Sequence, residues 1–365
     1  MIKDSKYNIV EIALVFLAIM FKYLINIHVA RRYLYVFLIV IIFFTVILFF
    51  HKRMSRNQLF RGFILFLVAL YFTVFYDDAN FLISFILAVL CINKKEDSFI
   101  KVFFFSSLIL YSTTILFNIF GIIKSNDMYR VAENGYKIRY SLGFTHPNEV
   151  FLYLLPIVLT GYYLYGKQKK FMIITFIVSL ILYNLSYCRT GFAVVIILLI
   201  LDFLTRKKKE FKYIKKIVPF IFILFTAFSI FLAFRYGNNL TNDISSALNG
   251  RPYYWNYYIQ HNTLFSLFGN NKVEGYFLDN FYIYMLVQLG LVGYFIYLFI
   301  YYKSLSIMNF SKRYSIIILI FLIYGLFEAN VIIGSIQFLF AIQLKEIITN
   351  GGRNAKSIER KEISN

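Results

Sequence analysis

Three arginines in this chain stand inside short motifs punctuated by glycine or proline. Arg139 opens Arg139-Tyr140-Ser141-Leu142-Gly143-Phe144-Thr145-His146-Pro147-Asn148-Glu149. Arg189 lies in Ser186-Tyr187-Cys188-Arg189-Thr190-Gly191, and Arg251 in Asn249-Gly250-Arg251-Pro252-Tyr253-Tyr254-Trp255. A guanidinium presents a planar fork of donors that fits phosphate oxygens, so these positions point to anion recognition. Two neighbouring groups could move a proton: His146, and Asp279 in Leu278-Asp279-Asn280-Phe281-Tyr282. Tyr253, Tyr254, Trp255, Tyr257 and Tyr258 could stack on sugar faces.

Each of these residues has a plainer reading. Pro147 suits the first position of a helix, which would leave His146 as a cap beside Asn148 and Arg139 on a lipid phosphate. Free amides at that helix start would otherwise favour an anion. A charge as close to hydrocarbon as Arg189 should face water, an anionic partner or a phospholipid head group. The tyrosines also fit an aromatic belt at the membrane interface. Asp279 is either the N-cap of the next helix or a carboxylate base. Arg31 and Arg32 flank a span end and snorkel to the interface.

The elements that must position these groups are apolar. Of 365 residues, 60% are hydrophobic, 21% aromatic and only 15% charged, against roughly 25% charged in a soluble domain. A spanning helix needs roughly 20 apolar residues. On that measure the sequence predicts an all-α, polytopic membrane protein with about twelve transmembrane helices: 9–27, 33–50, 62–76, 79–92, 99–123, 148–165, 171–187, 190–205, 217–234, 281–302, 314–329 and 331–344. The short pairs around Asp77-Asp78 and Glu328-Asn330 leave ten spans open. The whole chain reads as one transmembrane domain, with longer loops at about 124–147 and 235–280 and a disordered tail at about 351–365.

Charge sets the orientation. Arg56, Arg61, Lys94, Lys95, the basic residues of 167–170, the run Arg206-Lys207-Lys208-Lys209 and the tail fall on one side, which the positive-inside rule makes cytoplasmic together with both termini. The two long loops are then external, and chemistry belongs on the outer face. The net charge of +20 serves topology, so nucleic acid is not a partner. No phosphate-binding G-x-x-x-x-G-K-[ST] loop occurs, which argues against ATP or a nucleotide sugar as substrate. Cys91 and Cys188 fall at opposite faces and should not pair. The pair Asp77-Asp78 alone would make a weak cation site, so no cofactor or obligatory metal is expected.

At the motif residues the sequence resembles the Wzy-type polysaccharide polymerases and the related O-antigen ligases. The matching pieces, in order, are Ser186 to Gly191, then Gly250-Arg251 with Trp255 and Phe268-Gly269, then Asp279-Asn280-x-Tyr282 with Gly290 and Gly293. The segment from Ser141 to Asn148 is similar to a Leu-Gly-Phe-x-His-Pro-Asn element of capsule and exopolysaccharide polymerases of Gram-positive bacteria. The ligase branch carries a His-Asn pair where this chain has Asp279-Asn280, which argues against a ligase.

The resemblance implies a GT-C-like membrane glycosyltransferase in the bacterial cytoplasmic membrane, of Gram-positive source, working in capsule, exopolysaccharide or O-antigen synthesis. Its donor and acceptor would be undecaprenyl-pyrophosphate-linked oligosaccharide repeat units. Arg189 and Arg251 would hold the pyrophosphate, with Arg139 as a third. Asp279 or His146 would be the base, and Asn280, Tyr253 and Trp255 would contact substrate. Membrane lipids, a flippase and a chain-length regulator are the partners expected. A lipid-linked oligosaccharide flippase or transporter and an O-antigen-ligase-like transferase are the rivals. Polar residues concentrated in the loops, and not at mid-membrane depth, favour the enzyme over a transporter.

Overall fold

The computed structural model describes residues 7–26, 31–52, 54–76, 79–132, 135–205, 214–237, 245, 248, 250–270, 278–307, 311–329 and 337–350. Asp77-Asp78, the basic run 206–209 and the tail 351–365 lie outside the described residues, as do Lys272 and the start of the span expected at 331–344.

Apart from one hairpin, the regular elements among the described residues are helices. Helices α1 (Ile9–Asn26), α2 (Arg31–His51), α3 (Arg56–Tyr76), α4 (Asn80–Cys91) and α5 (Glu96–Ile119) precede strands β1 (Met128–Ala132) and β2 (Gly135–Arg139). Then come α6 (Glu149–Tyr165), α7 (Lys169–Ser186), α8 (Arg189–Thr205), α9 (Ile214–Phe234) and α10 (Arg251–His261). The last elements are α11 (Phe281–Tyr284), a π-helical turn (Met285–Leu289), α12 (Gly290–Ile307), α13 (Lys312–Gly325) and α14 (Gln337–Asn350).

Among the described residues six helices are long and apolar enough to cross a membrane: Tyr33–His51, Arg56–Tyr76, Glu96–Ile119, Lys169–Ser186, Ile217–Phe234 and Phe281–Leu305. Val36, Ile39 and Phe43 stand exposed along α2, as do Ile173, Ile177 and Ile181 along α7. An apolar outer surface of this kind requires lipid, because backbone groups are satisfied within each helix while the side chains meet hydrocarbon. The chain is a multi-pass membrane protein. Against about twelve expected, six such helices stand among the described residues, and part of the difference is helix length. At 1.5 Å per residue, the 12 residues of α4 and the 14 of α13 are shorter than a roughly 30 Å hydrocarbon core.

Two compact units divide the chain. The first comprises residues 1–56, 83–207 and 332–345. In it α5 packs on α1 and α6, and α6 on α7 and α8. The α6–α8 approach depends on Gly191, where an added Cβ would lie 2.2 Å from the Phe151 Cβ. Glycine is needed there for close approach of two helices.

The second unit comprises residues 57–82, 208–331 and 346–365. Its central helix is α9, packed against α10, α11, α12 and α13. The segment 266–270 seals the π turn: Asn270 donates from its backbone and from Nδ2 to the Val287 carbonyl at 3.1 and 2.7 Å. Gly269 and Gly290 meet back to back there, with Gly290 at φ +71 and an added Cβ 2.2 Å from the Gly269 nitrogen. Phe268-Gly269 and Gly290 thus hold a close backbone crossing.

Candidate functional site

The second unit assembles the more compact of two polar constellations. The segment 235–280, expected as a loop, contains α10. Gly250 precedes it at φ +75, a conformation glycine takes without strain, and Pro252 sits in the first turn, where a missing N–H costs no hydrogen bond. Arg251 and Trp255 are four residues apart and share one helix face. Both reach Asp279: the Trp255 indole Nε1–H donates to Asp279 Oδ1 at 3.2 Å, and Arg251 Nη1 lies 3.2 Å from Asp279 Oδ2. Nη1 also donates to the Phe327 carbonyl, and the guanidinium lies over the Phe327 ring. No hydrogen bond from Arg251 Nε or Nη2 is made to the described residues. The Arg251 side chain is 11% exposed and that of Asp279 26%.

Burial raises the Asp279 carboxyl above the ordinary carboxylate value, and it outweighs the opposing Arg251 charge and Trp255 hydrogen bond. Desolvation disfavours the anion, so this carboxylate binds a proton more readily than an exposed one.

Asn280 is the N-cap of α11. Its Oδ1 accepts from the Ile283 N–H at 3.0 Å, and its Nδ2 donates to Ser229 Oγ at 2.9 Å and to the Leu326 carbonyl at 3.3 Å. It is fully buried, so Asn280 ties α9, α11 and the end of α13 together and does not face a substrate. Trp255 is 1% exposed, which withdraws its ring from sugar stacking and leaves it as a donor to Asp279. Tyr253 is 41% exposed, edge-on to Tyr236 and Tyr254, and keeps a face for a ligand.

In the first unit, Ser141 to Phe144 form a tight turn closed by the Phe144 N–H on the Ser141 carbonyl at 3.0 Å. Leu142 and Gly143 both have positive φ, +52 and +89. Side chains other than glycine rarely hold that conformation. It is retained here because Phe144 is driven into an aromatic cluster, stacked on Tyr153 with centroids 5.2 Å apart and tilted against Tyr111 and Tyr23. The Leu-Gly-Phe element is thus a plug that delivers the next four residues.

Those residues are heavily cross-linked. Helix α6 begins at Glu149 with Asn148 as cap, so Pro147 precedes the helix and does not open it. The Asn148 N–H donates to His146 Nδ1 at 3.0 Å. An imidazole that accepts at Nδ1 carries its neutral-form proton on Nε2, which makes His146 a donor at its other edge. Burial first, and the Arg139 charge second, lower its pKa. Glu149 reaches back to the N–H and Oγ1 of Thr145 at 3.0 and 2.6 Å. A carboxylate and two used amides stand where a bound anion was one expectation.

Arg139 donates from Nε to the Ser186 carbonyl at 3.0 Å and from Nη2 to Asn148 Oδ1 at 2.7 Å, joining β2, the end of α7 and the α6 cap. Tyr187 is left-handed at φ +49 and ends α7, so α8 restarts at Arg189. Arg189 is exposed at that first turn. Cys91 and Cys188 are both buried free thiols.

The structure therefore brings together Arg251, Trp255, Asp279 and Asn280 in one unit, and Arg139, His146 and Asn148 in the other. The Phe327 carbonyl and Ser229 escaped sequence reading, since a backbone acceptor and a lone serine carry no signature. The hairpin had a weak one: Asn134-Gly135 is a turn dipeptide in sequence, although Gly135 pairs with Ala132 and already belongs to β2. Among the described residues no group of three His, Cys, Asp or Glu could hold a metal ion.

Fold and polar sites define a multi-pass helical membrane protein with an arginine–carboxylate pair at the head of its Phe281–Leu305 span. No protein-family model, curated protein or solved structure matches the chain.

Proposed function

We propose that this protein is a membrane glycosyltransferase that polymerises polyprenyl-diphosphate-linked oligosaccharide repeat units on the outer face of the cytoplasmic membrane. The observation that carries the reading is the Arg251–Asp279–Trp255 constellation: a nearly buried guanidinium with unused donors beside a carboxylate whose proton affinity is raised. The orientation is taken from the basic face where Glu11 gathers Lys52 and Lys94, which the positive-inside rule makes cytoplasmic and which on this reading carries both termini. A GT-C-like scaffold, undecaprenyl as carrier, a Gram-positive source, and flippase and chain-length partners belong to this reading.

In the reaction, an acceptor hydroxyl oxygen attacks the anomeric carbon of the donor glycan. The new C–O bond forms as the bond to the diphosphate oxygen breaks, and the electron pair leaves with the polyprenyl diphosphate. Asp279 takes the hydroxyl proton. Arg251 stabilises the departing charge, a contribution of about 3 to 4 kcal/mol for one well-placed donor. Arg189, exposed at the first turn of α8, offers a separate anion contact. His146, protonated on Nε2, serves as a donor, so the base role falls to Asp279. The exposed Tyr253 and Tyr254 offer sugar-stacking faces.

The test is a strain lacking the chain, analysed for lipid-linked intermediates. Single repeats should accumulate on the outer leaflet and polymer should vanish. Repeats trapped on the inner leaflet would establish a transporter instead, and polymer of normal length would end the polymerase reading.

A further inference from the structure

We propose that Asp279 is an internal competitor for a diphosphate site on Arg251, so that ligand binding and release of the carboxylate are a single exchange. The inference rests on the polymerase reading for its ligand class, a diphosphate ester, and adds how the site is held when empty. A guanidinium has five N–H donors. In Arg251, Nη1 serves Asp279 and the Phe327 carbonyl, while Nε and Nη2 have no hydrogen-bond partner among the described residues. The side chain keeps 11% of its surface exposed, and neither donor is among the fully buried polar atoms that lack a partner, so a ligand can reach this edge. The Nε–Nη2 edge presents two parallel N–H donors, the arrangement that meets two oxygens of a phosphate.

Charge makes the two ligands of Arg251 exclusive. One guanidinium lies between the Asp279 carboxylate at 3.2 Å and any diphosphate on its far edge. Trp255 gives Asp279 a neutral donor, and the Phe327 carbonyl brings no positive charge. The resting pair is balanced, and a diphosphate would make the site strongly negative. Like charges this close cost several-fold in affinity even when partly screened. Binding therefore draws Arg251 onto the diphosphate and leaves Asp279 with the Trp255 N–H alone. A carboxylate that loses its counter-charge in a buried place gains proton affinity. Asp279 thus becomes a better proton acceptor only once a donor lipid is seated, and Trp255 is the positioning residue that keeps it aimed while Arg251 turns away.

The experiment titrates the full chain in nanodiscs with inorganic pyrophosphate, and separately with vesicles carrying polyprenyl diphosphate. Asp279→Asn removes the competing charge and keeps an acceptor for Trp255. It should bind pyrophosphate about tenfold more tightly than the natural chain, the order expected for one like charge removed from a partly screened site. Arg251→Lys should weaken binding, and in the Arg251→Lys background Asp279→Asn should bring a smaller gain, because the parallel donor edge that the carboxylate competes for is gone. Trp255→Phe leaves the charges alone and should change affinity less than about threefold, while moving the acid limb of the pH–rate profile. Equal or weaker pyrophosphate binding by a folded Asp279→Asn overturns the exchange, as does the same gain in the Arg251→Lys background. A gain with polyprenyl diphosphate but none with pyrophosphate would relocate the selectivity to the lipid and equally refute a site built on the diphosphate. Polymer assays stand apart: a chain that shows the exchange yet makes no polymer refutes the polymerase reading and leaves the exchange intact.

Discussion

Asn280 takes the N-cap that its neighbour Asp279 might have filled. The Asn280 Oδ1 accepts the Ile283 N–H, and Asp279 turns instead to Trp255 and Arg251. The two residues therefore answer differently to substitution. Asp279→Asn should fold and span the membrane normally, with a thermal midpoint close to the natural chain in detergent, and lose polymer synthesis by about 10²- to 10⁴-fold as expected for a lost general base. Asn280→Ala removes a cap, at about 1 kcal/mol, and orphans the buried Ser229 hydroxyl and the Leu326 carbonyl, at about 1 to 3 kcal/mol each. Its thermal midpoint should fall. An active Asp279→Asn would take the base role away from this carboxylate.

The pH dependence of polymer formation is set by the same site. A base must be ionised, so activity should fall as pH falls through the carboxyl pKa. Burial raises that pKa, so the acid limb should lie above the range of an exposed aspartate. Measuring kcat/KM against pH with purified lipid-linked repeats would locate the limb. His146→Gln keeps a side-chain N–H near the Nε2 position and should leave the limb in place, whereas a limb lost with His146→Gln would return the base role to His146.

How much of this was legible in the sequence depended on whether a residue's role was set locally. The long apolar helices were legible because stretches of 18 or more residues that are strongly apolar on average and hold few charges fit a hydrocarbon setting. Helix length was not legible: among the described residues Asn80–Cys91 and Lys312–Gly325 are also apolar but have 12 and 14 residues. Helix α10 was not legible: Arg-Pro-Tyr-Tyr-Trp-Asn-Tyr-Tyr has no apolar stripe, and burial of Trp255 and Tyr258 together with the Gly250 turn holds it. Arg251 and Asp279 each stood out, but their pairing depends on α9, α10 and α11 packing together. The choice between Asp279 and Asn280 as cap was undecidable locally, since the two types cap about equally well. Ser229 settles it by binding the asparagine amide.

The motif glycines make a steric prediction separate from chemistry. Gly191→Ala would set a methyl 2.2 Å from Phe151 Cβ, too close for any contact. Helices α6 and α8 must then part, at about 1 to 3 kcal/mol for overpacking. The variant should melt earlier and make less polymer, and Phe151→Leu, which keeps the Cβ and Cγ that the methyl meets, should restore neither. Lost activity with an unchanged thermal midpoint would mean that Gly191 acts at a substrate and not between helices.

Topology has its own check. Among the described residues a single long helix, α9, separates the basic run ending at Lys209 from Asn262. Reporters fused after Lys209 and after Asn262 should therefore report opposite sides, cytoplasmic and external. The same side for both would remove α9 from the membrane and the outer-face reading with it.

A last prediction concerns a buried charge cluster in the first unit that the candidate site does not use. Lys52 donates to the carbonyls of Val89, Leu90 and Ile92 at 2.7, 3.3 and 2.9 Å and lies 3.9 Å from Glu11, which holds Lys94 at 2.6 Å. Glu11 and Asn8 cap α1 reciprocally, each accepting the other's backbone N–H. Burial lowers the Lys52 ammonium from 10.5 to about 8, against the attraction of Glu11 and with the repulsion of Lys94. A cation with a lowered folded pKa binds its proton less tightly when folded than when unfolded. Between about 8 and 10.5 the unfolded chain therefore holds more protons at this site, and stability rises with pH across that window. Below about 8 both states are protonated and the dependence is flat. Lys52→Met removes the titration, so its thermal midpoint should lack the rise that the natural chain shows above about 8. It should also be lower near neutral pH, because three carbonyls at the end of α4 lose their donor. If the natural chain melts at the same temperature across this window, or the rise survives in Lys52→Met, the ammonium is not the titrating group.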